Sequence, residues 1–267
     1  MIFTRKRNLK IREVTISGTI IERKPTARFL GVIVDEKLNW SEHISAVRTK
    51  MCRYVGIMCK IKHHVPTKVM LQMYHSFIQS HVNFCSLVWG FSCKSNIESL
   101  FRMQKRGIRA VIPGFVNYYY KDGQLPTHTK TAFSTHKILT IHGIVVKNLL
   151  IFLHKLKYHS TSLPTTVSNT MHTDAPITLD PPTDNNLTWY NEHNDSWFRN
   201  SLFFKAPLLY RSYPNLTENA DHLTNLNLKK LLKKRLLELQ CSGDKDEWPL
   251  FPLYSIDGLR KSERNRR

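Results

Sequence analysis

Apolar residues recur every third or fourth position in three successive segments between residues 41 and 111. This spacing places them on one face of a helix, and such a face is stable only when it packs against other elements. The first predicted helix ends near His63-His64 and carries Ile44, Val47, Met51, Val55 and Met58; the second carries Val69, Met70, Met73, Phe77, Ile78 and His81. The third carries Ile97, Leu100, Phe101, Gln104, Ile108 and Val111. A small helical bundle is therefore expected.

Polar residues and prolines indicate where these helices begin and end. Asn39-Trp40-Ser41-Glu42 supplies capping groups for the first helix, and Ser95-Asn96-Ile97-Glu98 matches a capping box that starts the third. Pro66 is expected at the first position of the second helix, and Pro113-Gly114 ends the third. Two further helices are predicted, over about Lys137 to His159 and from Asn225 to Gln240.

The segment before the helices has the pattern of short strands. Val14 and Ile16 alternate, Ser17-Gly18 suits a turn, and residues 13–21 are therefore predicted to form a hairpin. Residues 29–34 form an apolar run that predicts a buried strand, in which Gly31 indicates close approach of another chain or backbone. The expected fold class is mainly α with a small β hairpin or strand at the N-terminus (α+β).

The charge is concentrated in the first part of the chain. Of 40 basic and 20 acidic side chains, residues 1–112 hold 20 and 6, a net charge of +14, whereas residues 113–228 hold 9 and 8. Residues 229–267 hold 11 and 6. A dense field of one sign attracts polyanions, so nucleic acid is the expected partner. Lys137 and Lys147 fall in the nearly neutral segment and are expected to matter little for binding.

One predicted helix carries a basic row beside its apolar face. The row consists of Arg102, Lys105, Arg106 and Arg109, and no acidic residue follows Glu98 in this helix. Arg53 and Lys60, with Lys50, point away from the apolar face of the first helix. A merely solvated face would normally include acids, so the row is either a phosphate-binding surface or a solvated face, and both interpretations stay open. No base-reading motif is present, so binding is expected to ignore base sequence.

The histidine, cysteine and tryptophan residues could suggest metal binding, redox chemistry or base stacking, but their spacing does not favour these functions. His63, His64, His75 and His81 have no Cys or acid at complementary ligand spacing, so no metal site is expected. Cys52 and Cys59, seven residues apart, are expected to pack in the core, as are Trp40 and Trp89. Five cysteines without a Cys-x-x-Cys pair favour a reduced intracellular chain, nuclear or cytoplasmic. The sequence contains no run of 18 apolar residues, so no membrane span is predicted.

Read in order, several motifs resemble one polymerase family. Phe29-Leu30-Gly31-Val32, Asp35 and Leu38-x-Trp40-x-x-His43 resemble the palm–thumb junction of reverse transcriptases from jockey-like non-LTR retrotransposons. Supporting motifs are Leu71-x-x-Tyr74-x-Ser76-x-Ile78, Val88-Trp89-Gly90 and Leu100-x-x-x-Gln104-Lys105-x-x-Ile108-Arg109. The similarity is strong over residues 28–112 and looser beyond.

The resemblance implies an RNA-directed DNA polymerase that uses two Mg²⁺ ions held by palm aspartates. It also implies that Phe29, Leu30 and Gly31 correspond to the primer grip and that the helices of residues 42–112 correspond to the thumb, which holds a template–primer duplex. The chain has no Asp-Asp pair, and the family places Asp35 outside the metal site. We therefore expect a C-terminal fragment that binds no cofactor and has no catalytic residue of its own.

The implied organisation has five parts. They are a palm remnant with the primer-grip-like strand (1–36), a thumb-like helical domain (37–114), a helical extension (115–160), a flexible linker (161–190) and a C-terminal region with a Leu/Lys helix (191–267). The expected function is non-catalytic binding of an RNA–DNA or DNA duplex through phosphates. The alternatives are a polymerase part whose palm is supplied by another chain, and a helical protein-interaction module. Because the strands that flank it in a full palm are absent, the strand of residues 29–34 is further expected to be partly exposed or self-associating.

Overall fold

The computed structural model describes residues 1–3, 14–112, 129–158 and 223–242. Within these ranges the chain is mainly helical with two small antiparallel hairpins near the N-terminus, which confirms the predicted fold class. The predicted linker (161–190) lies outside the described residues. None of the described helices combines the length and apolar character needed to cross a bilayer.

Two hairpins precede the helices, where one hairpin and one buried strand were predicted. The first pairs β1 (Thr15–Ile16) with β2 (Thr19–Ile20) across the expected Ser17-Gly18 turn. The second pairs β3 (Thr26–Phe29) with β4 (Val32–Asp35). The prediction of a single buried strand over residues 29–34 is thus wrong. Leu30 and Gly31 both have positive φ, which reverses the chain in the middle of the apolar run.

The helices of the first bundle follow the predicted order. They are α1 (Ser41–Ile61), α2 (Thr67–Met73), α3 (Ser80–Asn83), α4 (Ser86–Trp89) and α5 (Lys94–Val111), with a π-helix over Tyr74–Gln79 between α2 and α3. Every residue of the predicted apolar rows of α1 and α5 is buried. The two helices pack against each other and form the centre of the bundle.

The predicted apolar row of the second helix is only partly buried. Val69 and Phe77 are exposed, whereas the buried residues are Met70, Tyr74, Ile78 and Val82, each four apart. Four residues exceed one α-helical turn, so such a row drifts around a regular helix by roughly 40° per step. The π-helix has a wider turn, and it keeps this row facing the core.

Helix starts differ from the predicted caps by a residue or two. Pro66 lies just before α2 with extended backbone, and α5 begins at Lys94 without a side-chain cap. The Asn96 amide of the expected capping box instead donates to the Ser92 hydroxyl oxygen at 2.8 Å. The capping box predicted at residues 95–98 is therefore wrong: α5 begins before it, and the Asn96 side chain contacts a residue outside the helix.

The later helices complete the same core. They are α6 (Thr129–Thr135), which was not predicted, α7 (Ile141–Tyr158) and α8 (Asn225–Ser242). Ile141, Ile144, Val145 and Leu149 of α7 are buried, and α8 contributes Leu228, Leu232 and Leu236. The described helices thus bury one continuous cluster of apolar side chains.

Candidate nucleic-acid interface

The carboxylate of Asp35 organises the connection between β4 and α1. Its oxygens accept hydrogen bonds from the backbone N–H groups of Lys37, Asn39 and Trp40, at 3.1, 3.0 and 2.8 Å. Both oxygens are therefore committed to the turn. This geometry explains why an Asp stands five residues before the tryptophan of the junction motif.

His43 ties the second hairpin to the start of α1. The backbone N–H of Ile33 donates to His43 Nδ1 at 3.3 Å, which makes the imidazole an acceptor and therefore neutral. Burial, and secondarily the charge of Lys50, lowers the pKa of His43. The ring also lies 6.0 Å from the indole of buried Trp89, whose Nε1 donates to the Phe84 carbonyl at 2.8 Å.

A third set of hydrogen bonds joins this junction to α5. The Ser92 hydroxyl and the Asn96 amide both donate to the Asn39 carbonyl, and the Asn96 amide also donates to Ser41 Oγ. Asp35 and His43 thus connect the hairpin to the start of α1, and the bonds of Ser92 and Asn96 connect the start of α1 to the start of α5. Their role in the structure is positional.

A groove of about 600 Å³ runs along the outer face of α1 beside the second hairpin. The groove is lined by Ile33 of β4 and by the small side chains of Ser45, Ala46 and Thr49. Its charged lining residues are two basic ones, Lys50 and Arg53, and one acidic one, Glu42. The remaining lining residue is Ser41. Of the sequence-predicted site residues, Arg53 alone lines this groove.

The α5 row divides into two kinds of residue. Arg102 and Arg106 are exposed, one turn apart, and among the described residues neither has a carboxylate within 4 Å. Lys105 is half-buried, with Nζ 4.2 Å from the centre of the Phe101 ring. Burial lowers the pKa of Lys105; Glu98 opposes this shift, while Arg109 and Arg102 add to it. Arg109 is half-buried as well.

The structure does not bring the predicted site residues into one surface. None of the α5 row lines the α1 groove, and Lys60 lies two turns beyond Arg53 on the exposed side of α1. The primer-grip-like residues form the hairpin tip, with Phe29 and Leu30 68% and 80% exposed. Gly31 is approached closely, as predicted, but by the Phe84 ring rather than by backbone: a Cβ there would lie 3.2 Å from Phe84 Cζ.

Two cysteines depart from their predicted places, whereas Trp89 does not. Cys52 and Cys59 are exposed, so the prediction of core packing is wrong. Each follows a buried methionine by one position, which turns it about 100° away from the core. Trp89 is fully buried as predicted, and Trp40 packs partly against the core. Among the described residues, no three His, Cys, Asp or Glu side chains are grouped to hold a metal ion.

Asp35, the acidic residue nearest the hairpin tip in the resembling motif, does not fit the role of a Mg²⁺ ligand. Its oxygens already accept three backbone hydrogen bonds, which leaves the carboxylate fixed in the turn. Comparison of the chain with protein-family models, with curated proteins and with solved structures finds no match.

Proposed function

We propose that this chain binds a nucleic-acid duplex without base specificity, through phosphate contacts made by the exposed arginines of α5. The observation that carries the proposal is the pair Arg102 and Arg106, exposed on a rigid helix without an ion-pair partner among the described residues. Guanidinium groups placed this way are suited to bidentate contacts with phosphate oxygens. The net charge of +20 adds a long-range attraction for any polyanion.

The α1 groove offers a second place for a sugar–phosphate strand. Lys50 and Arg53 face it, and its small side chains allow close approach of a ligand backbone. The junction around Asp35 and His43 keeps the hairpin at the edge of this groove. This arrangement supports a role for the hairpin tip at the bound duplex, as the primer-grip resemblance implies.

A salt titration tests the proposal directly. Replacing both Arg102 and Arg106 by Gln keeps helix propensity and removes two charges. If both arginines contact phosphates, the slope of log K against log salt becomes shallower by about 2. The measurement is fluorescence anisotropy on an RNA–DNA hybrid, repeated on a duplex of unrelated sequence, where the parent should bind equally well.

The matched control is a Lys68→Gln, Lys137→Gln variant, which removes the same charge from exposed positions of α2 and of the α6–α7 connection. It should keep the parent slope. Equal slopes for both variants would mean that the α5 arginines form a solvated face, and a parent that binds no duplex at low salt would refute the proposal.

The chain by itself is proposed to be a binding protein rather than a polymerase. The sequence has no Asp-Asp pair, and Asp35 is engaged in the turn. The purified chain, supplied with Mg²⁺ and nucleotides, should therefore leave a primer on an RNA template unextended. Extension would instead favour the alternative of an active polymerase.

A protein-interaction function is the second candidate, and the hairpin tip favours it. Phe29 and Leu30 are exposed, and Phe84, which lies against Gly31, is itself 49% exposed. Exposed apolar side chains grouped in this way are typical of contact surfaces. The two candidates differ in their salt dependence, since apolar association is not weakened by salt.

A further inference from the structure

The last described helix runs antiparallel to α7. The backbone N–H of Thr140, just before α7, donates to Gln240 Oε1 near the end of α8, and the Gln240 amide donates to the Ile138 carbonyl. Cys241 also contacts Ser134 of α6 at 3.1 Å. The C-terminal end of α8 therefore lies at the N-terminal end of α7.

This register brings lysines of the two helices together. Lys147 lies seven residues after Thr140 and Lys233 lies seven residues before Gln240, so each is about 10.5 Å along its helix from the shared contact. Lys229 lies one turn further along α8 on the same side as Lys233. These three residues, from two segments that are distant in sequence, form what we call the α7–α8 lysine cluster.

The cluster is not neutralised by acids of its own helices. Residues 141–158 contain no Asp or Glu, and residues 225–242 contain only Glu238, which is spaced one turn from Lys234 on another side of α8. Burial lowers the pKa of half-buried Lys147, and the charges of Lys233 and Lys229 lower it further. The fold thus holds like charges close together, an unfavourable arrangement that an anion would relieve.

We propose that the α7–α8 lysine cluster binds phosphate groups of the same nucleic acid, as a contact separate from the α5 arginines and from the α1 groove. The inference rests on the proposed function and extends it to another surface. The charge counted along the sequence does not indicate this surface. Lys147 belongs to the nearly neutral segment 113–228, and only the packing of α8 gives it basic neighbours. The alternative is that these lysines merely cover apolar surface with their aliphatic stems.

The test is a Lys147→Gln, Lys233→Gln variant of the full chain. Relative to the parent, it should bind an RNA–DNA hybrid roughly tenfold more weakly at low salt and show a slope shallower by about 2. The Lys68→Gln, Lys137→Gln variant carries the same net charge and should keep the parent slope. Anisotropy titrations of all three proteins, each first checked by thermal unfolding, provide the comparison.

A second measurement uses inorganic tripolyphosphate as the probe. It should raise the unfolding temperature of the parent and of the control more than that of the cluster variant. If the cluster variant binds hybrid like the control while Arg102→Gln, Arg106→Gln binding is impaired, the cluster proposal is wrong and the proposed function stands. Stabilisation by tripolyphosphate without any effect on hybrid binding would also overturn the assignment to nucleic acid.

Discussion

Two buried glutamines fix the segment that joins α6 to α7. Gln104 donates to the Leu139 carbonyl at 2.9 Å and accepts from the Ile141 N–H at 2.8 Å, while Gln240 makes the equivalent pair with Ile138 and Thr140. Both side chains are fully buried, so each amide replaces water for two backbone groups. Gln104 appears in the predicted apolar row, but its partners lie 35 and 37 residues away and no local pattern indicates them.

His142 should make the protein sensitive to mild acid. Burial, followed by the charges of Lys105 and Lys94, lowers its pKa to about 4. Above pH 6.5 the residue is neutral in the folded and unfolded chain; as pH falls toward 4 only the unfolded chain takes up the proton, and stability is lost. Glu98 Oε1 lies 3.7 Å from His142 Nε2 and would stabilise the protonated ring, which offsets part of this loss. We therefore expect the free energy of unfolding to fall by about 1–3 kcal/mol.

Urea unfolding at pH 7 and pH 5 measures this loss, with His142→Phe as the comparison. Phenylalanine keeps the ring that packs edge-on to Phe101 at 5.2 Å but does not titrate. Because His43 also titrates with a lowered pKa, both proteins lose some stability. A pH dependence that is the same in both would show that His142 does not contribute.

At the scale of helices, two glycines should respond oppositely to alanine. At Gly90, after α4, a Cβ would clash with the Ser86 carbonyl oxygen of α4 and would also lie 2.7 Å from Val145 Cγ2 of α7, so Gly90→Ala should destabilise by about 1–3 kcal/mol through overpacking. At Gly56 in the middle of α1 nothing lies within 4 Å, so Gly56→Ala should stabilise by about 0.5–1 kcal/mol through helix propensity. Urea denaturation of both variants checks the difference in sign, and a stabilising Gly90→Ala would contradict the α4–α7 packing.

Self-association through the hairpin tip is a prediction for the whole molecule. Leu30 is 80% exposed and has φ 46°, a conformation that Asn tolerates better than Leu. Leu30→Asn should therefore stabilise the turn and remove an apolar contact. Light scattering over a range of concentrations should show a rising mean mass for the parent and a smaller rise for the variant. Leu226→Asn, at an exposed position of α8, is the control and should behave like the parent.

A parent that stays monomeric at every concentration, or an equal response of both leucine variants, would contradict association through the tip. Rapid exchange of the amides of β3 and β4 would accompany the expected result, because a two-stranded sheet alone protects them weakly.

The sequence predicts the helices of this molecule better than the contacts between them. The rows of α1 and α5 are visible because helical periodicity is local, and they locate the basic residues of α5 beside a buried face. The apolar run at residues 29–34 has no such periodicity, so a strand and a hairpin could not be separated. The lysine cluster could not be predicted from the sequence, because the charge counted along the chain does not show that α7 and α8 pack together.

The position of α8 has a consequence for synthesis on the ribosome. Its three buried leucines pack into the common core; within the described part of the chain, the core helix that precedes α8 ends at Tyr158, whereas α8 begins at Asn225. Contacts between segments so distant in sequence form slowly, and α7 cannot make its contacts with α8 until α8 has been synthesised. At roughly 5–20 residues per second, α7 is left for several seconds or more with its α8-facing side open to chaperones and to other nascent chains.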